Sequence, residues 1–373
     1  MKEKLKCNWD LFNHTSHSPS LINIVGEEHL EQVTDFCFIA NPYFPTDEIM
    51  GKMQRMMPLL IKSYPSSNPE FTVSVLASLL QVKNEQLIIG NGATELITII
   101  QSEFVKELAI PVPTFSEYTE TLRFHNTVRL FQLPAHNNYI LDLDEYASWI
   151  IANSIKSALI INPGNPTGQL ISLNKMLHFI SEMNHLEHII VDESFIDFAA
   201  DEIPSLIPYI DDLPNVIIIR SMSKHCGIPG LRLGYCCSSR SDIIARMKKM
   251  VPLWNINTLA EYFITLLVQT NDMYHAMRKR VIAEVADLYC DLQKIRGFYV
   301  YKTGCNFVMI KIECGLTAFE LQKKLLEDYW IYVRDCTNKI GLDAYHIRVS
   351  SQGKAKDALL IDALSSISKQ IYG

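Results

Sequence analysis

The 373-residue sequence predicts an α/β fold, with a mostly parallel sheet covered by helices in a large domain and a smaller α+β domain beside it. Three observations carry this prediction. Short, almost wholly apolar runs such as Ala158-Leu159-Ile160-Ile161, His188-Ile189-Ile190-Val191 and Val216-Ile217-Ile218-Ile219 alternate with helical patterns, as strands buried on both faces require. From about Asn257 that alternation gives way to a long helical stretch and then to scattered short strands, the order of an α+β unit. The chain also exceeds the length at which one core usually stops growing. We therefore expect an arm and part of the small domain at 1–45, a large domain at 46–255 and a small C-terminal domain at 256–373.

Residues 1 to about 30, including His14, His17, Ser18 and Pro19, show no periodicity and read as an arm. A first helix starts near Thr46, whose hydroxyl can cap it, with Asp47 and Glu48 set favourably against the dipole. Its stripe of Ile49, Met53, Met56, Met57 and Leu60 is expected to pack in the core. Tyr64-Pro65 closes that helix, and a second runs from Glu70 to Leu80. Leu87-Ile88-Ile89 reads as a strand, and Gly90-Asn91-Gly92 as a turn opening a helix through Ile100. Strands near Ala109–Val112 and Val128–Leu133 then alternate with helices near Glu117–Phe124, Leu143–Ala152 and Asn174–Met183, among the strands named above. A helical stretch from Asn257 to Ile295 follows, then a strand at Phe307–Ile310, a helix near Ala318–Leu326, short strands around Val333 and Ile347, and a terminal helix after Lys354.

Composition excludes several functions. A net charge of −7 argues against nonspecific nucleic-acid binding, so an anionic ligand must be held by a local cluster of donors. The nine cysteines show no CxxC pair or metal-ligand spacing, and Cys236-Cys237 are adjacent on an expected buried strand. That pattern predicts reduced thiols in a cytoplasmic protein and no metal site. Neither a secretion signal nor a membrane span is expected.

The chemistry centres on the stretch from Ser221 to Tyr235. Lys224 follows an apolar strand, at the carboxyl end where open α/β sheets place ligands. Ser221, Ser223 and Arg232 are spaced around it to hold an anion. A lysine near other cations, or partly desolvated, can form an imine with an aldehyde, and pyridoxal phosphate (PLP) is the common aldehyde cofactor. Taken alone, such a lysine is more often a solvated loop residue. Elsewhere, Gly92, Ala93 and Thr94 open a helix whose free N–H groups favour an anion. Two prolines and two glycines around Asn165 force a rigid turn that presents its amide. Asp192 ends an apolar strand, where an acid needs a partner: a protonated pyridine nitrogen, a helix cap or an ion pair would each serve.

Asn165, Asp192 and Lys224, in this order at successive strand ends, with Gly92-Ala93-Thr94 before and Arg232 after, resemble fold-type I PLP enzymes of the class I/II aminotransferase group. The resemblance spans almost the whole chain. It implies that Asn165 meets the ring hydroxyl, Asp192 the pyridinium and Lys224 the aldehyde, with Ala93, Thr94, Ser221, Ser223 and Arg232 on the cofactor phosphate. It also implies that Phe115 stacks on the ring, and that Tyr64 reaches the phosphate across the interface of a homodimer.

Ile39-Ala40-Asn41-Pro42, Ser63-Tyr64-Pro65, the run Asp192 to Phe198, and Arg334-Asp335-Cys336-Thr337-Asn338 are closest to the histidinol-phosphate aminotransferase branch. Within that branch they resemble the threonine-phosphate decarboxylases, which like this chain carry phenylalanine at Phe195 where the aminotransferases carry tyrosine. The resemblance implies a small phosphorylated amino acid as substrate, either L-threonine O-3-phosphate or L-serine O-phosphate. The product would be an aminoalkyl phosphate for the nucleotide loop of a cobamide. Arg334 and Arg348 match the branch's substrate arginines, with the anion held by each left open. Asn41 stands near the expected substrate, and His17 stands in for a His-Gly-Gly-Asn run whose glycines are absent here. The alternative is a histidinol-phosphate aminotransferase using 2-oxoglutarate.

Overall fold

The computed structural model describes residues 4–12, 17–120 and 127–373. His14, and the part of the expected helix Glu117–Phe124 beyond Glu120, lie outside the described residues. Strand β1 (Thr34–Asp35) comes first, then β2 (Leu87–Asn91), β3 (Glu107–Val112), β4 (Thr127–Gln132), β5 (Ser157–Ile161), β6 (His188–Asp192), β7 (Val216–Ser221) and β8 (Leu233–Cys237). Strands β2 to β8 form a seven-stranded sheet in the order β2-β8-β7-β6-β5-β3-β4. Only β8 runs against the others among the described strands, since it pairs antiparallel with both β2 and β7. The parallel core is apolar because helices cover both faces: Ile189, Val191, Val216 and Ile218 face one cluster, and Ile190, Ile217 and Ile219 the other.

The later strands are β9 (Phe298–Val300), β10 (Phe307–Ile312), β11 (Ile331–Tyr332), β12 (Arg334–Asp335) and β13 (His346–Ser350). Four of them make a second sheet, β12-β13-β10-β9, while β1 pairs in parallel with β11 and ties the start of the chain to this region.

Two expectations are corrected. The helical stretch expected from Asn257 to Ile295 is two helices, Thr258–Gln269 and Asn271–Leu292. They part at Thr270, whose hydroxyl bonds back to the Leu266 carbonyl at 3.0 Å while its backbone leaves helical geometry at φ −128°. Ile256, Ala260, Phe263 and Ile264, just past the boundary expected near 255, pack with the large-sheet cluster. The methionine stripe of helix Asp47–Ile61 is buried only at Ile49 and Met53, whereas Met57 is 39% exposed.

Among the described residues no helix is long and apolar enough to cross a membrane, and no group of side chains could hold a metal ion. All nine cysteines are free thiols.

Candidate active site

Parallel neighbours β5, β6 and β7 end side by side, Ile161 opposite Asp192 and Asp192 opposite Ile219. Their carboxyl ends form the floor of a cavity of about 670 Å³. Asp192 and Lys224 both line it. The Asp192 carboxylate is buried and accepts hydrogen bonds from the Tyr118 hydroxyl and the Ser194 N–H, each at 2.9 Å. Burial pushes this carboxyl up, against the pull of those donors and of Lys224. It is a site for a cation. Lys224 lies in the single helical turn Met222–His225 that follows β7 directly. Burial, with the charges of Arg348 and Arg232, lowers its ammonium from the usual lysine range to about 8, against the attraction of Asp192. About a tenth of such an amine is neutral at pH 7, far more than of an ordinary lysine, and the neutral form is the nucleophile.

An anion cradle lies beside it, where Ala93, Thr94, Ser221 and Arg232 line the cavity. Ala93 and Thr94 begin helix Gly92–Glu103, with their N–H groups free. Gly92 holds φ +77°, and a Cβ there would meet the Arg232 guanidinium at 2.5 Å. Gly234 on β8 allows the Ala93 backbone to cross it in contact, where any side chain would collide. Gly227 faces the backbone of Asn41 and Phe44, and Gly230 has nothing near its Cβ position. Arg232 donates to the Thr94 hydroxyl at 3.2 Å, while the buried Ser223 hydroxyl has no partner.

The loop after β5 presents Asn165. Asn162 clamps it by exchanging hydrogen bonds with the Ile171 backbone at 2.8 and 2.9 Å. The Asn165 carbonyl oxygen accepts from Arg348 at 2.7 Å, which joins the two sheets at the cavity wall. Arg348 on β13 stands directly opposite Arg334 on β12. Arg334 in turn donates to the Ser18 hydroxyl at 2.8 Å and to the Asn338 side chain at 3.0 Å. Both arginines are buried just behind wall residues. Phe115 and His17 also line the cavity, 5.7 Å between ring centroids, with His17 near the Glu117 carboxylate at 3.7 Å.

A family model described as aminotransferase class I and II matches residues 31–362. The chain belongs to the class I and II aminotransferase family. It is 35% identical to the L-serine phosphate decarboxylase of Sulfurospirillum multivorans, over 96% of this chain and 94% of that protein. It is 32% identical to an L-serine phosphate decarboxylase of Campylobacter jejuni, over 95% of this chain and 94% of that one. A solved structure of a decarboxylase from S. multivorans superposes with a TM-score of 0.87 at 34% identity, covering 95% of this chain and 93% of that one.

The family's cofactor, PLP, suits the chemistry of this donor set. An aldehyde needs a neutral amine, a pyridinium needs a buried carboxylate, and a phosphate needs a helix amino end, an arginine and hydroxyls. The buried Ser223 hydroxyl, two residues after the cavity-lining Ser221, has no partner.

Gly92, Ser223, Arg334 and Arg348 do not themselves line the cavity, and Asn41 and Tyr64 are engaged elsewhere. Asn41 has its amide N–H on the His225 carbonyl at 3.2 Å and its oxygen on the Tyr43 N–H at 2.9 Å, so it pins the lysine turn to the segment before the first helix. Tyr64 is 80% exposed and packs on Trp254, 4.7 Å between ring centroids. Conversely, Tyr118 and Lys339 belong to the site's surroundings and were not singled out by sequence, while Ile39 and Ser194, named only within motif runs, line the cavity. Tyr118 was findable, since it lies three residues after Phe115 in a stretch expected to turn helical. Lys339 carried no signal beyond a charge in a turn.

Proposed function

We propose that this class I and II aminotransferase family member is a PLP-dependent decarboxylase that converts an O-phospho-L-amino acid, L-serine O-phosphate or L-threonine O-3-phosphate, to the aminoalkyl phosphate used for a cobamide nucleotide loop. One observation carries the reading: the cavity floored by Lys224 and Asp192 is flanked by two buried arginines, Arg334 and Arg348, held in register across one pair of strands. Like charges directly opposite one another are unfavourable in a sheet unless a ligand answers them. A substrate with a carboxylate at one end and a phosphate at the other does so. The full-length similarity to two L-serine phosphate decarboxylases supports the same substrate class and favours the serine ester.

In this reading Lys224 holds the cofactor aldehyde, Asp192 its ring nitrogen and Asn165 its ring hydroxyl. Ala93, Thr94, Ser221, Ser223 and Arg232 hold its phosphate, and Phe115 covers its ring. When bound, the cofactor supplies an electron sink for the pair left by departing carbon dioxide. The chain's own groups do the rest. Arg334 and Arg348 fix the two substrate anions so that the scissile bond stands away from the ring plane. Lys224 would carry the proton that replaces the carboxylate at Cα. Phe195 and Ile39 keep water from that carbon, Phe195 being fixed edge-on against Phe307 at 5.0 Å.

A homodimer belongs to the proposal. Met57, Leu59, Ile61, Tyr64, Phe71, Leu253 and Trp254 are large apolar side chains exposed on the single chain, a concentration typical of a covered face. We also place the protein in the cytoplasm, in keeping with its free thiols.

The deciding experiment offers phosphoserine, phosphothreonine and histidinol phosphate in parallel, with and without 2-oxoglutarate, and identifies products by mass. Carbon dioxide and an aminoalkyl phosphate without the oxoacid are expected. Turnover only with histidinol phosphate and 2-oxoglutarate would replace this reading with the aminotransferase one.

A further inference from the structure

We infer that Lys339 is a third cation of the substrate's phosphate site and recognises the second negative charge of a phosphomonoester; the inference rests on the decarboxylase reading. Lys339 follows β12 in the turn after Arg334 and is 7% exposed, a rare position for a lysine without a buried counter-charge. Its ammonium donates to the Ser116 hydroxyl at 2.5 Å. Ser116 sits between Phe115 and Glu117, both in the cavity wall.

Three cations therefore converge on one side of the cavity, each gripping a residue in or next to its wall: Arg348 on Asn165, Arg334 on Ser18 and Lys339 on Ser116. They are close enough to feel one another, because Arg334 and Arg348 both add to the burial that lowers the Lys339 ammonium to about 8, with Glu120 opposing. Arg348 and Lys339 are held by neutral oxygens, and the Arg348 Nε is buried with no partner. Packing three cations together is costly, and the Asp35 and Glu120 carboxylates that act on Arg348 and Lys339 offset only part of it. An amino-acid phosphoester brings about −1 from its carboxylate and roughly −1.5 to −2 from its phosphate near neutral pH. Two arginines answer the carboxylate and one phosphate charge; the lysine answers the other.

The test uses the holoenzyme, with Lys339→Gln and Lys339→Arg. Binding of inorganic phosphate and of O-phosphoethanolamine is measured by calorimetry, and KM and kcat are measured for carbon dioxide release from phosphoserine. Lys339→Gln is expected to weaken both binding constants and raise KM by roughly ten- to hundred-fold, the loss of one charged hydrogen bond, with kcat within about threefold. Lys339→Arg should restore most of the binding, and binding of unphosphorylated serine should not change. If Lys339→Gln disturbs the melting temperature, Lys339→Met, which keeps the length of the stem, takes its place.

Unchanged phosphate affinity, or equal weakening of serine and phosphoserine, overturns the inference. A wild-type enzyme that binds phosphoethanolamine but releases no carbon dioxide from phosphoserine overturns the function while leaving the role of Lys339 standing.

Discussion

The floor of the cavity and its cationic wall are built in opposite ways. The floor consists of Asn165, Asp192 and Lys224, each within a few residues of a parallel strand's end, and its geometry follows from the sheet alone. The wall draws Ser18 from the start of the chain, Ser116 from the loop after β3, and Arg334, Lys339 and Arg348 from the second sheet. In the proposed reading the floor serves any substrate amine, and the wall chooses among the anions such an amine carries. The two regions should therefore fail differently when cut.

The largest effect is expected on the floor. Lys224→Ala should lower turnover by on the order of 10⁴-fold or more and abolish the absorbance of the cofactor-bound lysine. Persistence of either would remove Lys224 from the chemistry. Asp192→Asn should follow at about 10²–10³-fold in kcat, because a buried neutral amide no longer answers a ring cation. Calorimetric phosphate affinity should stay as in the wild type; a parallel fall would show that floor and wall are one cooperative unit.

Cutting the wall should reverse that pattern. Arg334→Gln is expected to raise KM for phosphoserine by roughly ten- to hundred-fold with little change in kcat, as read from initial-rate curves. A loss confined to kcat would move Arg334 from substrate binding to the chemical step.

The floor has a pH signature as well. The Lys224 ammonium lies near 8, below the ordinary lysine value, so the neutral amine is the minority form below that pH and the majority above it. PLP uptake by the cofactor-free protein, followed by absorbance, should slow roughly tenfold per pH unit below about 8 and level off above it. A profile still climbing beyond pH 9 would mean that burial and the neighbouring arginines do not tune this amine.

The same contrast explains what was legible in the sequence. The floor was, because a polar residue after an apolar strand run stands out: Asp192 after His188–Val191, and Lys224 five residues after Val216–Ile219. The wall was legible only in Arg334 and Arg348, and only through resemblance. Lys339 is buried by segments more than 200 residues away in sequence, which no local pattern records. Helix Asp47–Ile61 misled for the converse reason. Its apolar residues were assigned to the chain's own core, yet Met57, Leu59 and Ile61 face outward at the surface we propose for the dimer. Thr270 divided a continuous helical pattern through a single hydroxyl-to-carbonyl bond, too local a competition for periodicity to reveal.

The smallest expected effect lies where floor and wall meet. Phe195 lines the cavity next to Asp192 and Ser194 and packs edge-on against Phe307, over which the Arg348 guanidinium lies at 5.2 Å. Phe195→Tyr adds one hydroxyl to this apolar corner without displacing the ring, and the new donor is worth a neutral hydrogen bond if it meets the cofactor's ring oxygen. Carbon dioxide release should then slow by roughly two- to ten-fold, with amino transfer to 2-oxoglutarate rising from background. A shift in KM for phosphoserine instead would place the hydroxyl against the substrate, making Phe195 part of the wall. No change in either constant would mean that the phenylalanine serves packing alone.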